Sequence, residues 1–239
     1  YRRYPKSDTP EFHVYENGYV VLEGNTILET GEGEGPADAD GTVDGKNGIL
    51  MPGMINTHCH IPMIPFRSLG DDCPDRLRRF LFPLELEAMN RELIGQSTRY
   101  GVCELLLSGV TSVLDMYYFE DQVAAACEEM GIRAYVGQTI IDMETCDSKN
   151  TDQSLAMCEE LIRKWKGHER IRPVVAPHAT NTNPPEVLKA AYELAERYDV
   201  PYTLHVSEMD YELEMFREKY DQTPTEFLYG LGVLGERTI

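Results

Sequence analysis

The sequence is short of positive charge. Lys and Arg total 22 against 41 Asp and Glu, a formal net charge of −19 over 239 residues. A surface that acidic repels phosphate backbones, which argues against a nucleic-acid partner. Long apolar runs are missing too. No stretch approaches the roughly 18 residues of a membrane span, and no basic segment followed by an apolar run opens the chain, so neither a membrane partner nor a secretory leader is expected. The six cysteines (Cys59, Cys73, Cys103, Cys127, Cys146, Cys158) form no C-x-x-C pair. They predict reduced thiols in a cytoplasmic protein rather than a disulfide framework. No G-x-G-x-x-G or G-K-[ST] loop occurs, so a nucleotide-cofactor cradle is not expected. What the sequence does have is 42% hydrophobic residues, enough for a sizeable core. It opens on Tyr1 rather than Met, so the natural start is expected to lie upstream.

Composition divides the chain. Residues 1–53 read as a small β module, with short runs His13–Tyr15 and Tyr19–Leu22 on either side of Asn17-Gly18, a hairpin signal because both residues tolerate positive φ. Gly31–Pro36 reads as a flexible acidic loop. From residue 54 to 239 the pattern becomes strand then helix, five times over. Ile49–Asn56, Thr111–Tyr117, Arg133–Ile141, Ile171–Ala176 and Pro201–Val206 are the strand-like runs. Helical stretches are Arg91–Leu107, Asp121–Met130 stopping at Gly131, Thr151–Lys166 capped by Thr151 or Asp152, Pro184 to Tyr198, and Tyr211–Tyr220. Such alternation predicts parallel strands with crossover helices, and strands that are apolar throughout rather than alternating are those covered on both faces.

Chemically capable side chains gather at the predicted C-terminal strand ends, the place where (β/α) barrels and open α/β sheets build their sites. His58 and His60 are two apart, so on a strand both imidazoles point the same way. An H-x-H pair alone is a weak signal that fits packing or chance better than a metal, but His205 ends another strand of the same pattern. Three histidines form a ligand set for one zinc or iron with a position left for water. Glu208, three residues after His205, is placed to move protons there, or else to cap the following helix. His178 offers a substrate contact or a satisfied structural imidazole. Asp115 reads as structural, since an Asp at a strand end commonly accepts backbone N–H bonds. Glu85 by itself is an acid in a helix's first turn, which the macrodipole explains. Ile171–His178 contains no Lys that could bridge two metals, so one metal is expected.

Several segments together resemble the amidohydrolase superfamily, within it the branch of methylthioadenosine/S-adenosylhomocysteine deaminases and chlorohydrolases. Met51–Met63, with its Pro52-Gly53 and Asn56-Thr57-His58-Cys59-His60, is similar to the opening motif of that branch. Gly70-Asp71-Asp72, Phe82-Pro83-Leu84-Glu85, Ser108–Tyr117, Ala176-Pro177-His178-Ala179 and Leu204-His205-Val206-Ser207-Glu208 follow in the family's order. The resemblance implies a TIM (β/α)8 barrel of the metal-dependent hydrolase type, here its first five β/α units, after part of a small β-sandwich. It implies that His58, His60 and His205 bind one divalent metal, zinc before iron. Glu208 would pass a proton to the ring nitrogen, His178 would hydrogen-bond the heterocycle, and Glu85 would grip ribose hydroxyls. The implied reaction is hydrolytic deamination of an adenosine-type nucleoside, with hydroxide held by the metal attacking the amine-bearing carbon and ammonia leaving.

Two departures from the family qualify the substrate. Thr180-Asn181-Thr182-Asn183 follows His178 in place of the usual continuation, and residues 142–153 hold no Arg to grip a substrate carboxylate. A neutral nucleoside or another aminated small heterocycle is therefore expected ahead of S-adenosylhomocysteine. Loss of another leaving group, such as chloride from a triazine, is the competing reaction, and a catalytically incomplete binding piece is the competing role. The family's sixth-strand His and eighth-strand Asp are not found before the sequence stops at Arg237-Thr238-Ile239. The expectation is an N-terminal portion of a homo-oligomeric enzyme, with a bare edge on its fifth strand. Expressed alone, residues 1–239 should aggregate or bind the missing half. A stable monomer melting cooperatively in calorimetry would contradict this.

Overall fold

A computed structural model describes residues 13–239. Residues 1–12 of the expected β module lie outside the described residues. By its internal contacts the chain divides into two units, Tyr1–Met51 and Pro52–Ile239.

Within the first unit, β1 (Gly18–Glu23) and β2 (Thr26–Glu32) pair antiparallel. The two-residue turn is Gly24-Asn25, with Gly24 at φ +59°, not Asn17-Gly18 as the sequence signal suggested. Asn17-Gly18 instead closes the open end of the hairpin, where the Asn17 carbonyl accepts from Gly33 N–H. His13–Tyr15 forms no strand, and Gly31 and Glu32 continue β2 rather than starting a loop. Both sites are turn-competent. The register pairing Leu22 with Ile27 and Glu23 with Thr26 decides between them.

In the second unit the strands are β3 (Met54–Cys59), β4 (Val110–Tyr117), β5 (Arg133–Ile140) and β6 (Ile171–Pro177). They form one parallel sheet in the order β3-β4-β5-β6. A 3-10 turn at Ile61–Phe66 and a π-type turn at Leu77–Leu81 lead into α1 (Phe82–Ala88). The crossovers are α2 (Arg91–Leu107), α3 (Glu120–Met130) and α4 (Thr151–Trp165), and α5 (Pro185–Tyr198) follows β6. The chain ends with α6 (Asp210–Tyr220) and α7 (Pro224–Leu231). Helix starts obey local chemistry. Asn90 caps α2 by accepting from Leu93 N–H, and Asn150 caps α4 by accepting from Gln153 N–H, one residue before the predicted cap. Gly131, at φ +82°, ends α3.

The two faces of the sheet bury different residues. On the helical side of β6, Val175 joins Leu188, Ala191 and Ala195 of α5 and Ile162 of α4 in one apolar cluster. On the opposite face, Val174, Ala176 and Met116 form a smaller one. Gly137 is required there, since a Cβ on it would stand 2.6 Å from the Ala176 Cβ.

The fifth strand-like run, Pro201–Val206, is not a continuous strand. Only isolated parallel bridges form, Val175 with Tyr202 and Ala179 with His205. Val175 N–H donates to Pro201 O at 2.9 Å, and Val175 O accepts from Thr203 N–H at 3.0 Å. The next rung would need an N–H from residue 177, and Pro177 has none. Pairing resumes one residue on, where His205 N–H donates to His178 O at 2.9 Å. Nor is the far side of this run bare: Tyr202 pairs with Thr238, donating to Arg237 O and accepting from Ile239 N–H. Among the described residues no helix is long and apolar enough to cross a membrane.

Leu188 is fully buried between α5 and β6. Leu188→Ala should cost about 2–5 kcal/mol of unfolding free energy in urea titration. A loss under ~1 kcal/mol would show that this face is not close-packed.

Candidate metal centre

His58 lies near the end of β3, His60 just past it and His205 at the second isolated bridge. Their ring centroids make a nearly equilateral triangle, with sides of 5.1, 5.2 and 5.2 Å. One ligand nitrogen from each lies within 4.8 Å of the others. Two of the rings are fixed by main-chain carbonyls. His60 Nδ1 is 2.7 Å from Met116 O, and His205 Nδ1 is 2.8 Å from His178 O. A carbonyl only accepts, so each Nδ1 carries the proton and each Nε2 presents its lone pair. His205 Nε2 stands 3.3 Å from His58 Nε2. Tetrahedral zinc with nitrogens at its usual bond length separates them by about 3.3 Å.

Charge agrees with this geometry. Burial, together with the neighbouring His205 and His58, lowers the His60 pKa to about 4, against the raising effect of its bond to Met116 O. The ring is therefore neutral near pH 7, the state a metal ligand must reach. A donor set of three imidazoles, two locked in the ligating tautomer, fits a single borderline cation such as zinc.

His178 stands beside the triangle, its ring centroid 5.1 Å from that of His205. Nδ1 is 3.0 Å from the Thr182 hydroxyl and the ring meets Phe82 edge-on. Burial and then His205 and His60 push its pKa down to about 3. Asp115 does what a strand-end Asp is expected to do. Its Oδ1 accepts from Ile61 N–H at 2.6 Å and fixes the backbone next to His60. Asp115 Oδ2 and both Glu120 oxygens are buried without another donor, and burial raises both carboxyls, Glu120 further because Asp115 lies beside it.

Glu85 is more than a helix-start acid. Its side chain is buried, and Oε1 accepts from the Tyr117 hydroxyl at 2.6 Å. The Tyr117 ring is 6.5 Å from that of His60. Glu208 sits on an exposed turn after His205, and its carboxyl is not among the groups that converge on the imidazoles. Its N–H donates to Glu212 Oε2 at 2.9 Å. Glu212 and Thr180, and the carbonyls of Met116 and His178, were missed in the sequence. A cavity of about 340 Å³ borders His58 and His60, with Arg67 and Glu104 on its wall. A second, of about 690 Å³, is lined by Phe82, Asp142 and Thr180–Asn183.

Residues 49–239 match the amidohydrolase family. A 5-methylthioadenosine/S-adenosylhomocysteine deaminase of Aquifex aeolicus is 37% identical over 204 residues, 84% of this chain and 47% of that protein. A 5'-deoxyadenosine deaminase of Methanothrix thermoacetophila is 36% identical over 228 residues, 95% of this chain and 53% of that one. The crystal structure of an adenosine deaminase from Xanthomonas campestris with bound zinc superposes with a TM-score of 0.76 at 33% identity, covering 79% of this chain and 43% of the other. The chain thus spans about half the length of the relatives it matches.

The Glu85 carboxyl is pushed up to about 7, by burial first and against the hydrogen bonds from Tyr117 and Tyr118. Below the ordinary value of 4.5 it is neutral whether the chain is folded or not. As pH rises toward 7 the unfolded chain ionises first, so stability falls through that window and levels off above it. The total is on the order of 3 kcal/mol. Urea titrations from pH 4 to 8 should show this slope in the difference between wild type and Glu85→Gln. A difference independent of pH would refute it.

Proposed function

This chain belongs to the amidohydrolase family, and from that premise we propose that it carries the metal- and ring-binding portion of a hydrolytic deaminase acting on adenosine-type nucleosides. The observation that carries the reading is the triangle of His58, His60 and His205, with two tautomers set by main-chain carbonyls so that lone pairs converge. Deaminase relatives at 36–37% identity supply the reaction class. Zinc is the proposed metal, as in the Xanthomonas campestris structure. Bound there, it supplies a Lewis acid that makes water a nucleophile near pH 7.

The chain's own residues do the rest. Glu208 takes a proton from the attacking water and delivers it to the ring nitrogen beside the amine-bearing carbon; the proton left on the added hydroxyl passes to the amine, so that the C–N bond breaks, ammonia departs and a carbonyl forms. His178 hydrogen-bonds the heterocycle through Nε2, its orientation held by Thr182 at Nδ1 and by the Phe82 ring. Glu85, steadied by Tyr117, accepts from ribose hydroxyls. Residues 142–153 hold no Arg, and Lys149 there is engaged with Glu144. That favours neutral nucleosides such as 5'-deoxyadenosine or 5'-methylthioadenosine over one bearing a carboxylate. The six unpaired cysteines support a reducing, cytoplasmic location.

The complete natural protein should hold about one zinc per chain after desalting. A His58→Ala/His60→Ala double variant should hold none. Ammonia release from adenosine, 5'-deoxyadenosine and 5'-methylthioadenosine should fall by about 10²–10⁴-fold in Glu208→Gln with zinc content unchanged. No ammonia from any of the three, with turnover of a chlorinated or alkylated triazine instead, would overturn the deaminase reading.

A further inference from the structure

Glu212 is a buried acid, 1% exposed, in the first turn of α6. None of its hydrogen-bond donors is a Lys or Arg. Three neutral donors converge on its carboxyl group: the Thr180 hydroxyl on Oε1, Ser207 N–H on Oε1 at 3.1 Å and Glu208 N–H on Oε2 at 2.9 Å.

A Glu at this third helical position ordinarily reaches back to the N–H of the capping residue, here Met209. Glu212 reaches past it, to the two residues before. Those residues form an unusual turn, because Ser207 has φ +58°, the left-handed region that side chains other than glycine's resist. The turn therefore does not hold itself, and the two N–H bonds to one buried carboxyl group over-determine it. The third bond reaches elsewhere in the site. Thr180 is two residues after His178, in the loop that follows β6. One side chain thus joins the turn bearing Glu208 to the loop bearing the ring-contacting imidazole.

We propose that Glu212 is the positioning residue of the site: it holds the left-handed Ser207 turn in register with the Thr180 loop, and so sets where the Glu208 carboxyl stands relative to the metal and the ring. The inference rests on the reading that Glu208 moves the proton. Glutamine cannot replace Glu212. It has one acceptor oxygen, and turning that oxygen toward Thr180 and Ser207 sets an NH2 group against Glu208 N–H.

The test uses the zinc-loaded protein with its complete natural chain, measuring zinc content, kcat and KM for adenosine-type substrates. Glu212→Gln should lower kcat about 10–100-fold, the scale expected when a reacting group shifts by about 1 Å, with KM and zinc content unchanged. Adding Ser207→Gly should restore at least about tenfold of the loss, because glycine adopts positive φ without help. A residue needed only for folding would give neither the kcat-only loss nor the rescue. If Glu208→Gln is inactive while Glu212→Gln keeps wild-type kcat, or Ser207→Gly fails to rescue, the positioning role is overturned and the deaminase reading stands. If Glu208→Gln stays active, the proton role falls and Glu212's role with it. Should Glu212→Gln not fold, Thr180→Val removes one donor and carries the test. A several-fold drop in kcat at constant zinc supports the proposal, and unchanged kcat overturns it.

Discussion

Two hydrogen bonds from imidazole to main-chain carbonyl govern the site: His60 to Met116 O and His205 to His178 O. Each fixes a tautomer, and with it the direction of a lone pair. The carbonyls themselves are fixed by the sheet. Met116 lies in β4, paired with Gly137 of β5, and His178 follows the last residue of β6. The sheet's register is thereby transferred to nitrogen positions. Asp115 adds a third constraint from the same strand, by holding Ile61 N–H on the other side of His60. A metal entering such a set meets lone pairs already aimed, with little reorganisation left to make.

Pro177 shapes the site by an absence of its own. With no N–H to offer, it ends the ladder between β6 and the fifth run and lets pairing resume one residue later, at His178. The carbonyl that receives His205 N–H is then the same one that receives His205 Nδ1–H. A regular strand would have spread those two bonds over different residues. The irregularity of the fifth run and the fixed direction of His205 have one cause.

Much of this was legible in the sequence, for physical reasons. Strands covered on both faces read as continuous apolar runs, and Gly, Pro and Asn mark helix ends, so the β/α order and the helix bounds fell within a residue or two. The H-x-H pair and His205 were visible because strand-end side chains converge at one mouth. The hairpin turn was misplaced, since Asn17-Gly18 and Gly24-Asn25 are equally capable turns and cross-strand pairing decides between them. The fifth run reads as a continuous strand because the missing N–H that interrupts it belongs to Pro177 of the neighbouring strand. Carbonyls such as Met116 O leave no signature, as every residue has one. Glu212 did leave one, an acid at the third position of a helix, but its reach past the cap depends on the left-handed Ser207, which no residue type announces.

Residue 178 serves the site twice, and its two services reside in different atoms. The ring faces Phe82 and Thr182, while the carbonyl orients His205. Any amino acid but one that distorts the backbone would keep the carbonyl. The position proposed to meet the heterocycle can therefore change its side chain without disturbing the imidazole whose tautomer it sets. On the proposed function, selection for a different ring would have a residue to act on whose replacement leaves the histidine triangle intact, a modular joint between recognition and chemistry.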